Sequence, residues 1–232
     1  MTAFFHSGQL GDIVYSLPAV RAGGGGDFLV DCGSRWWSHF PGDPVAALAP
    51  LLEAQPYVRR ARRWSGERPD VNLDGFRDYY QGPGPTHWFL NIAEAHLQAV
   101  GLGRDVSPWL SAPRDPRSAG KVVLHRSTRF PSPYFRWSEL VGRLRDDEAL
   151  CVGLPQEHAR LQQIAGRRLA YLPTADLLEL AGVIAGCRLF VGNQSSPMAV
   201  ALGLGVDVVQ ETCPSCPNCL FNRPGFRSHM VF

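Results

Sequence analysis

The chain has 232 residues and a mass of 25.5 kDa, room for one or two domains. Hydrophobic residues make up 45% and charged residues 19%, a balance that argues against disorder, and no apolar run reaches the roughly 18 residues of a membrane span. Net charge is +2 overall, but −2 over residues 1–115 and +4 over residues 116–232. That mild asymmetry suits a polyphosphate pocket in the second half better than a broad nucleic-acid face. The first residues lack the basic flank and long apolar stretch of a secretion signal, so a cytoplasmic protein is expected.

Short apolar runs alternate with amphipathic stretches, the pattern of a parallel α/β sheet. Ala3–His6 predicts a buried strand, followed by a Gly-rich turn and a helix from about Asp12. Pro18 lacks an N–H donor and is expected to fall late in that helix or to bend it. Phe28–Asp31 predicts the second strand, Pro44–Ala54 a helix, Val71–Leu73 a strand and Trp88–Val100 a helix. The Pro-, Arg-, Asp- and Ser-rich segment from Ala112 to Gly120 predicts a linker. Beyond it, strands are expected at Val122–His125, Leu150–Gly153, Leu189–Gly192 and Val206–Val209. Helices are expected at Trp137–Arg145, Glu157–Ala165 and Pro197–Leu202, with another capped by Thr174 that buries Leu177, Leu180, Ala181 and Ile184. The expected architecture is two small Rossmann-like lobes, residues 1–115 and 116–232.

Three segments carry candidate chemistry. Ser7-Gly8-Gln9-Leu10-Gly11-Asp12 joins a strand to a helix, where free N–H groups and the helix dipole favour an anion. Asp12 there is either a general base or a helix-capping carboxylate. Asn193-Gln194-Ser195-Ser196-Pro197 makes a second strand-to-helix turn, either a diphosphate cradle or ordinary capping. His125-Arg126-Ser127-Thr128-Arg129 places two guanidinium forks beyond a strand's carboxyl end, where open α/β sheets bind ligands. Arg136 is a phosphate contact or surface charge, and His6 and His125 are secondary candidates at strand ends. Asn72-Leu73-Asp74-Gly75-Phe76-Arg77 is an acceptor contact or a plain turn. Arg59, Arg60, Arg62 and Arg63 form either a nucleic-acid contact or a charged edge strand.

Of six cysteines, Cys32, Cys151 and Cys187 sit in apolar stretches and predict small buried hydrophobes. Cys213, Cys216 and Cys219 lack a fourth metal ligand nearby except His229. Reduced thiols in a proline-stiffened loop are expected, with no metal and no cofactor.

Taken together, the motifs resemble glycosyltransferase family 9, the ADP-heptose:lipopolysaccharide heptosyltransferases of GT-B fold. Gly11-Asp12-Ile13-Val14-Tyr15-Ser16-Leu17-Pro18-Ala19-Val20 is similar to the family's opening motif, Asp176 to Gly205 to its closing block, and Arg136-Trp137 to its central basic-aromatic pair. Gln194 stands where the family usually has an acidic residue, and Ala199 where it has histidine, which implies a donor other than ADP-heptose. The variants HSGxLGDxxYSLPA, HRSxR and GNQS are similar to a compact phage and bacterial branch, and trimmed lobes imply a different acceptor.

The resemblance implies a metal-independent, inverting transfer of a sugar from a nucleoside diphosphate sugar to an acceptor hydroxyl, on a glycan or on a hydroxymethylated base in DNA. Asp12 would be the base, Arg126, Arg129, Asn193, Gln194, Ser195 and Ser196 would hold the donor, and Gly8, Gln9, Gly11, Asp74 and Arg77 would face the acceptor. A nucleotide-sugar epimerase and a non-catalytic binder of nucleotide sugar or DNA are the alternatives.

Overall fold

Short strands and helices alternate along the whole of a computed structural model that describes residues 2–37, 42–81 and 90–228. The chain divides into two units, one of residues 1–111 with 176–178 and one of residues 112–175 with 179–232. No helix among the described residues is long and apolar enough to cross a membrane.

The first unit runs β1 (Ala3–His6), α1 (Leu10–Ala22), β2 (Gly26–Val30), α2 (Pro44–Glu53), β3 (Val58–Arg63), β4 (Val71–Asn72), α3 (Asp78–Gln81) and α4 (Ile92–Ala99). Its strands lie in the order β3-β2-β1-β4, all parallel. The helix expected from Trp88 begins at Ile92, where the Asn91 side chain caps it; Trp88 itself lies outside the described residues. The arginine-rich stretch is β3, at the edge of the sheet. Arg59 pairs with Asp27, Arg62 with Glu67 and Arg63 with Asp43, the charged management of an exposed edge.

The second unit runs β5 (Val122–His125), α5 (Trp137–Gly142), β6 (Ala149–Cys151), α6 (Pro155–Ala165), β7 (Ala170–Tyr171), α7 (Leu177–Gly186), β8 (Leu189–Asn193), α8 (Ser196–Leu204), β9 (Val208–Glu211) and β10 (Phe226–Ser228). The parallel order is β10-β9-β8-β5-β6-β7. Counted from β5, that is the Rossmann strand order. Val122, Val123, Leu124 and His125 are all buried, as a central strand covered on both faces requires. Beneath it, Trp137, Val141, Leu161 and Val191 pack into one core.

Two expectations are corrected. Thr174 does not cap a helix: α7 starts at Leu177, and the Asp176 carboxylate accepts the Leu178 N–H at 2.8 Å. The helix expected to reach Arg145 stops at Gly142, because Arg143 and Leu144 turn back on Leu140 and Val141 through i−3 bonds.

Pro18 sits inside α1, which continues to Ala22. A proline cannot donate to the carbonyl four residues earlier, here that of Val14. The indole Nε1–H of buried Trp109 donates to that oxygen at 3.0 Å and replaces the missing bond. Trp109→Phe is therefore expected to destabilise the protein by about 1–3 kcal/mol, the cost of an unsatisfied buried acceptor. Pro18→Ala restores a backbone donor, so Trp109→Phe should cost less in that background. A double-mutant cycle in urea with additive effects refutes the replacement.

Candidate active site

In each unit the strand order reverses beside the first strand, between β1 and β4 and between β5 and β8. Ligands of open α/β sheets bind at such reversals, beyond the strands' carboxyl ends. Both candidate turns, Ser7–Asp12 and Asn193–Ser196, begin there, as does the segment from His125 to Arg129.

At the β1–β4 reversal, Asp74 ties the two strand ends together. Its carboxylate accepts the Ser7 N–H at 3.0 Å and the Ser7 hydroxyl at 2.6 Å, and it pairs with Arg77 at 2.7 Å. Gly8 then passes so close to His6 and Asp12 that a Cβ would lie 2.4 Å from His6 Cε1 and 2.8 Å from Asp12 Oδ2. Asp12 lies in the first turn of α1 and accepts the Gln9 N–H at 3.1 Å, while the Gln9 amide donates to Trp36 O at 3.2 Å. Gly11 lies between them in the same turn. The Trp36 ring is flanked by the guanidinium groups of Arg35 at 4.7 Å and Arg77 at 5.6 Å. Trp36 and Arg35 escape sequence reasoning because no periodicity or motif marks them.

His6 is fully buried against His96 of α4, with Nε2 to Nε2 at 3.0 Å. His96 Nδ1 lies 2.7 Å from Ile92 O, which only accepts, so Nδ1 carries the proton and His96 Nε2 is an acceptor. His6 Nε2 is then the donor, leaving His6 Nδ1 to accept the Gly8 N–H at 2.7 Å. Both rings are neutral: burial first, then Arg77, holds His6 well below its ordinary value, and burial followed by His6 does the same for His96. His6 thus fixes the turn that presents Gly8 and Gln9, with both ring nitrogens engaged.

At the β5–β8 reversal, buried Asn193 staples the two turns together. Its Oδ1 accepts the Ser127 N–H at 3.0 Å, and its Nδ2 donates to Ser127 O at 3.1 Å and Arg129 O at 2.5 Å. Arg126 directs Nε and Nη2 at the two oxygens of Glu211, each at 2.9 Å. Glu211 is fully buried and also accepts the Trp137 indole N–H at 2.8 Å and the Ser132 N–H at 2.8 Å. The Gln194 amide accepts the Cys213 N–H at 2.7 Å and donates to Cys216 O at 2.6 Å and Asn218 Oδ1 at 2.9 Å. Arg126, Asn193 and Gln194 thus commit these polar groups to the walls of the reversal.

Ser195 is the N-cap residue of α8, yet its side chain makes no capping bond. Its hydroxyl lies 3.1 Å from His125 Nδ1 and 3.0 Å from Asn193 O. The first turn of α8, beginning at Ser196, therefore keeps its N–H groups for another acceptor. Arg129 is exposed and lies over the Phe130 ring at 5.0 Å, and Phe130 holds a left-handed φ of 51°. Such backbone strain in a bulky residue is characteristic of functional loops. Arg136 is 76% exposed and pairs with Glu139 along α5, a surface interaction. No group of three or more His, Cys, Asp or Glu side chains gathers into a metal site among the described residues; His229 lies outside them.

The family model for glycosyltransferase family 9 (heptosyltransferase) matches residues 116–210. Among solved structures, E. coli heptosyltransferase WaaC with ADP-2-deoxy-2-fluoro heptose is similar over 98% of this chain and 92% of its own, with 14% identity and a TM-score of 0.63. E. coli ADP-heptose lipopolysaccharide heptosyltransferase II is similar over 100% of this chain and 91% of its own, at 15% identity and a TM-score of 0.63. The iron-containing dodecameric glycosyltransferase TibC from enterotoxigenic E. coli covers this chain fully at 17% identity, over 63% of its own length, with a TM-score of 0.61. No curated protein sequence matches the chain.

The buried histidine pair makes stability depend on pH. In the unfolded chain both rings bind protons below about 6.5, whereas the folded pair binds them only well below that value. Stability is therefore fully present above pH 6.5 and falls as pH drops below it, by up to about 2.7 kcal/mol per pH unit for two sites. Urea unfolding between pH 7.5 and 5 tests this, and a flat profile refutes it.

Proposed function

We propose that the chain is a glycosyltransferase of family 9, whose family model matches residues 116–210, and that it moves a sugar from a nucleoside diphosphate sugar to an acceptor hydroxyl, with inversion and without a metal ion. The observation that carries this reading is the uncapped start of α8, where the Ser195 hydroxyl turns to His125 and leaves the first-turn N–H groups for an anion. The donor's diphosphate lies there, on the backbone of Ser195 and Ser196, with Arg129 beside it. Arg126, Asn193 and Gln194 contribute by shaping that wall.

The acceptor enters at the other reversal, against Gly8, Gln9 and Gly11, with Asp74 and Arg77 holding the turn. Asp12 takes the proton of the acceptor hydroxyl as its oxygen attacks the anomeric carbon and the bond to the diphosphate breaks. Charge developing on the leaving group is met by the α8 N-terminus and Arg129, a fixed electrostatic environment of the kind that lowers barriers. A glycan acceptor is favoured over DNA, because three arginines of the basic strand β3 already pair with carboxylates.

Asp12→Asn discriminates between base and helix support. The amide oxygen still accepts the Gln9 N–H, so the melting temperature and donor affinity should stay close to wild type. Turnover should fall about 10²–10⁴-fold, the usual contribution of a general base. Equal loss of stability and turnover would make Asp12 a structural residue. Thermal shifts with ADP-, UDP-, GDP- and CMP-sugars identify the donor, with about 2.7 kcal/mol of stabilisation at 100-fold its Kd. Turnover with that donor should be unchanged by EDTA; its loss on chelation and return with added metal would overturn the metal-free reading.

A further inference from the structure

Behind Ser195 lies a chain of three polar side chains that capping does not require. Ser195 Oγ is 3.1 Å from His125 Nδ1, and His125 Nε2 is 3.1 Å from Glu157 Oε2 at the start of α6. The histidine side chain is 3% exposed and the glutamate 15%, so their contact is enclosed in the wall of the β5–β8 reversal. Its approach is built into the backbone. Gly153 has a φ of +106°, and a Cβ there would lie 2.5 Å from His125 Cδ2 and 2.8 Å from Glu157 Oε2. The Leu154 N–H holds the same Glu157 oxygen at 2.9 Å, and the Tyr171 hydroxyl fixes Gly153 O at 2.8 Å. Burial would raise the Glu157 carboxyl, but the hydrogen bond and charge of His125, with the Leu154 N–H, hold it below its ordinary value. Glu157 thus presents a carboxylate oxygen to His125 Nε2.

Resting on the donor site argued above, we propose that Ser195, His125 and Glu157 form a proton relay to the departing nucleoside diphosphate. In the resting complex the imidazolium donates from Nδ1 to Ser195 Oγ and from Nε2 to Glu157. As the bond from the anomeric carbon to the phosphate oxygen breaks, the Ser195 hydroxyl swings its proton from Asn193 O, 3.0 Å away in the resting structure, and gives it to that diphosphate. His125 Nδ1 replaces it, and the imidazole is left neutral beside the Glu157 carboxylate. The acceptor's proton, taken by Asp12, passes to solvent after product leaves, and solvent reprotonates His125, so protons balance over a turnover. Ser195 touches the leaving group; His125 and Glu157 are positioning residues that act through it. The charged and titratable groups around the imidazole are Glu157 of α6, Arg126 beside it in the chain, and Tyr171 of β7 across Gly153.

The test compares wild type with His125→Gln and Glu157→Gln, measuring donor binding by calorimetry and kcat against pH. Wild type is expected to show a basic limb, with kcat falling as the imidazolium is lost. His125→Gln should lower kcat about 100-fold or more, the usual worth of general-acid help, leave donor Kd within about threefold and abolish that limb. Glu157→Gln keeps an acceptor for Leu154 N–H and should move the limb to lower pH, an effect that loose packing would not produce. Donor binding with wild-type kcat and an unchanged pH profile in both variants overturns the relay while leaving the transferase reading intact. A wild-type protein that binds no nucleotide sugar overturns the donor site and the relay together.

Discussion

Right-handed crossovers fix which face of a parallel sheet each connecting helix covers, according to the direction in which the chain moves along the sheet. When the chain reverses direction beside its first strand, the two connections leave to opposite faces and the carboxyl end of that strand stands open. Both units are built this way, around β1 and around β5. The openings are consequences of strand order, and backbone N–H groups at the start of the following helix come with them. What the side chains must do is keep each opening from collapsing.

They do so with buried polar groups whose partners come from neighbouring segments. At the first reversal, Asp74 holds Ser7 and Arg77, while the His6–His96 pair holds Gly8 from below. At the second, Glu211 binds Arg126, Trp137 and Ser132, and Asn193 binds Ser127 and Arg129 O. A buried charge without partners is costly, so each network is stable in essentially one arrangement. The turns are therefore held in place before any ligand arrives, which lowers the ordering cost of binding.

The strands and most helices were legible because they are local: β5 and β8 open on runs of three apolar residues, and α6 and α8 carry prolines in their first turns. β7 and β10, at two and three residues, carry too little pattern to be seen, and pairing alone defines them. The segments of the candidate site were visible as strand-to-helix turns. The duties of single residues within them were not, because those depend on partners 19 to 90 positions away, such as Glu211 for Arg126, Cys213 for Gln194 and His96 for His6. Glu157 is recognisable in sequence only as a first-turn acid of α6; its contact with His125 depends on the packing of α6 beside β5.

Gln194 shows how a departure from the family pattern follows from such a partner. The residue both accepts from the Cys213 N–H and donates to Cys216 O and Asn218 Oδ1. A carboxylate has no proton to donate and would face two oxygens with a negative charge. The amide therefore suits a position where the 213–219 loop folds back against the start of α8, and an acid does not. The departure from the family pattern at Gln194 is thus accounted for by the contacts of the 213–219 loop alone.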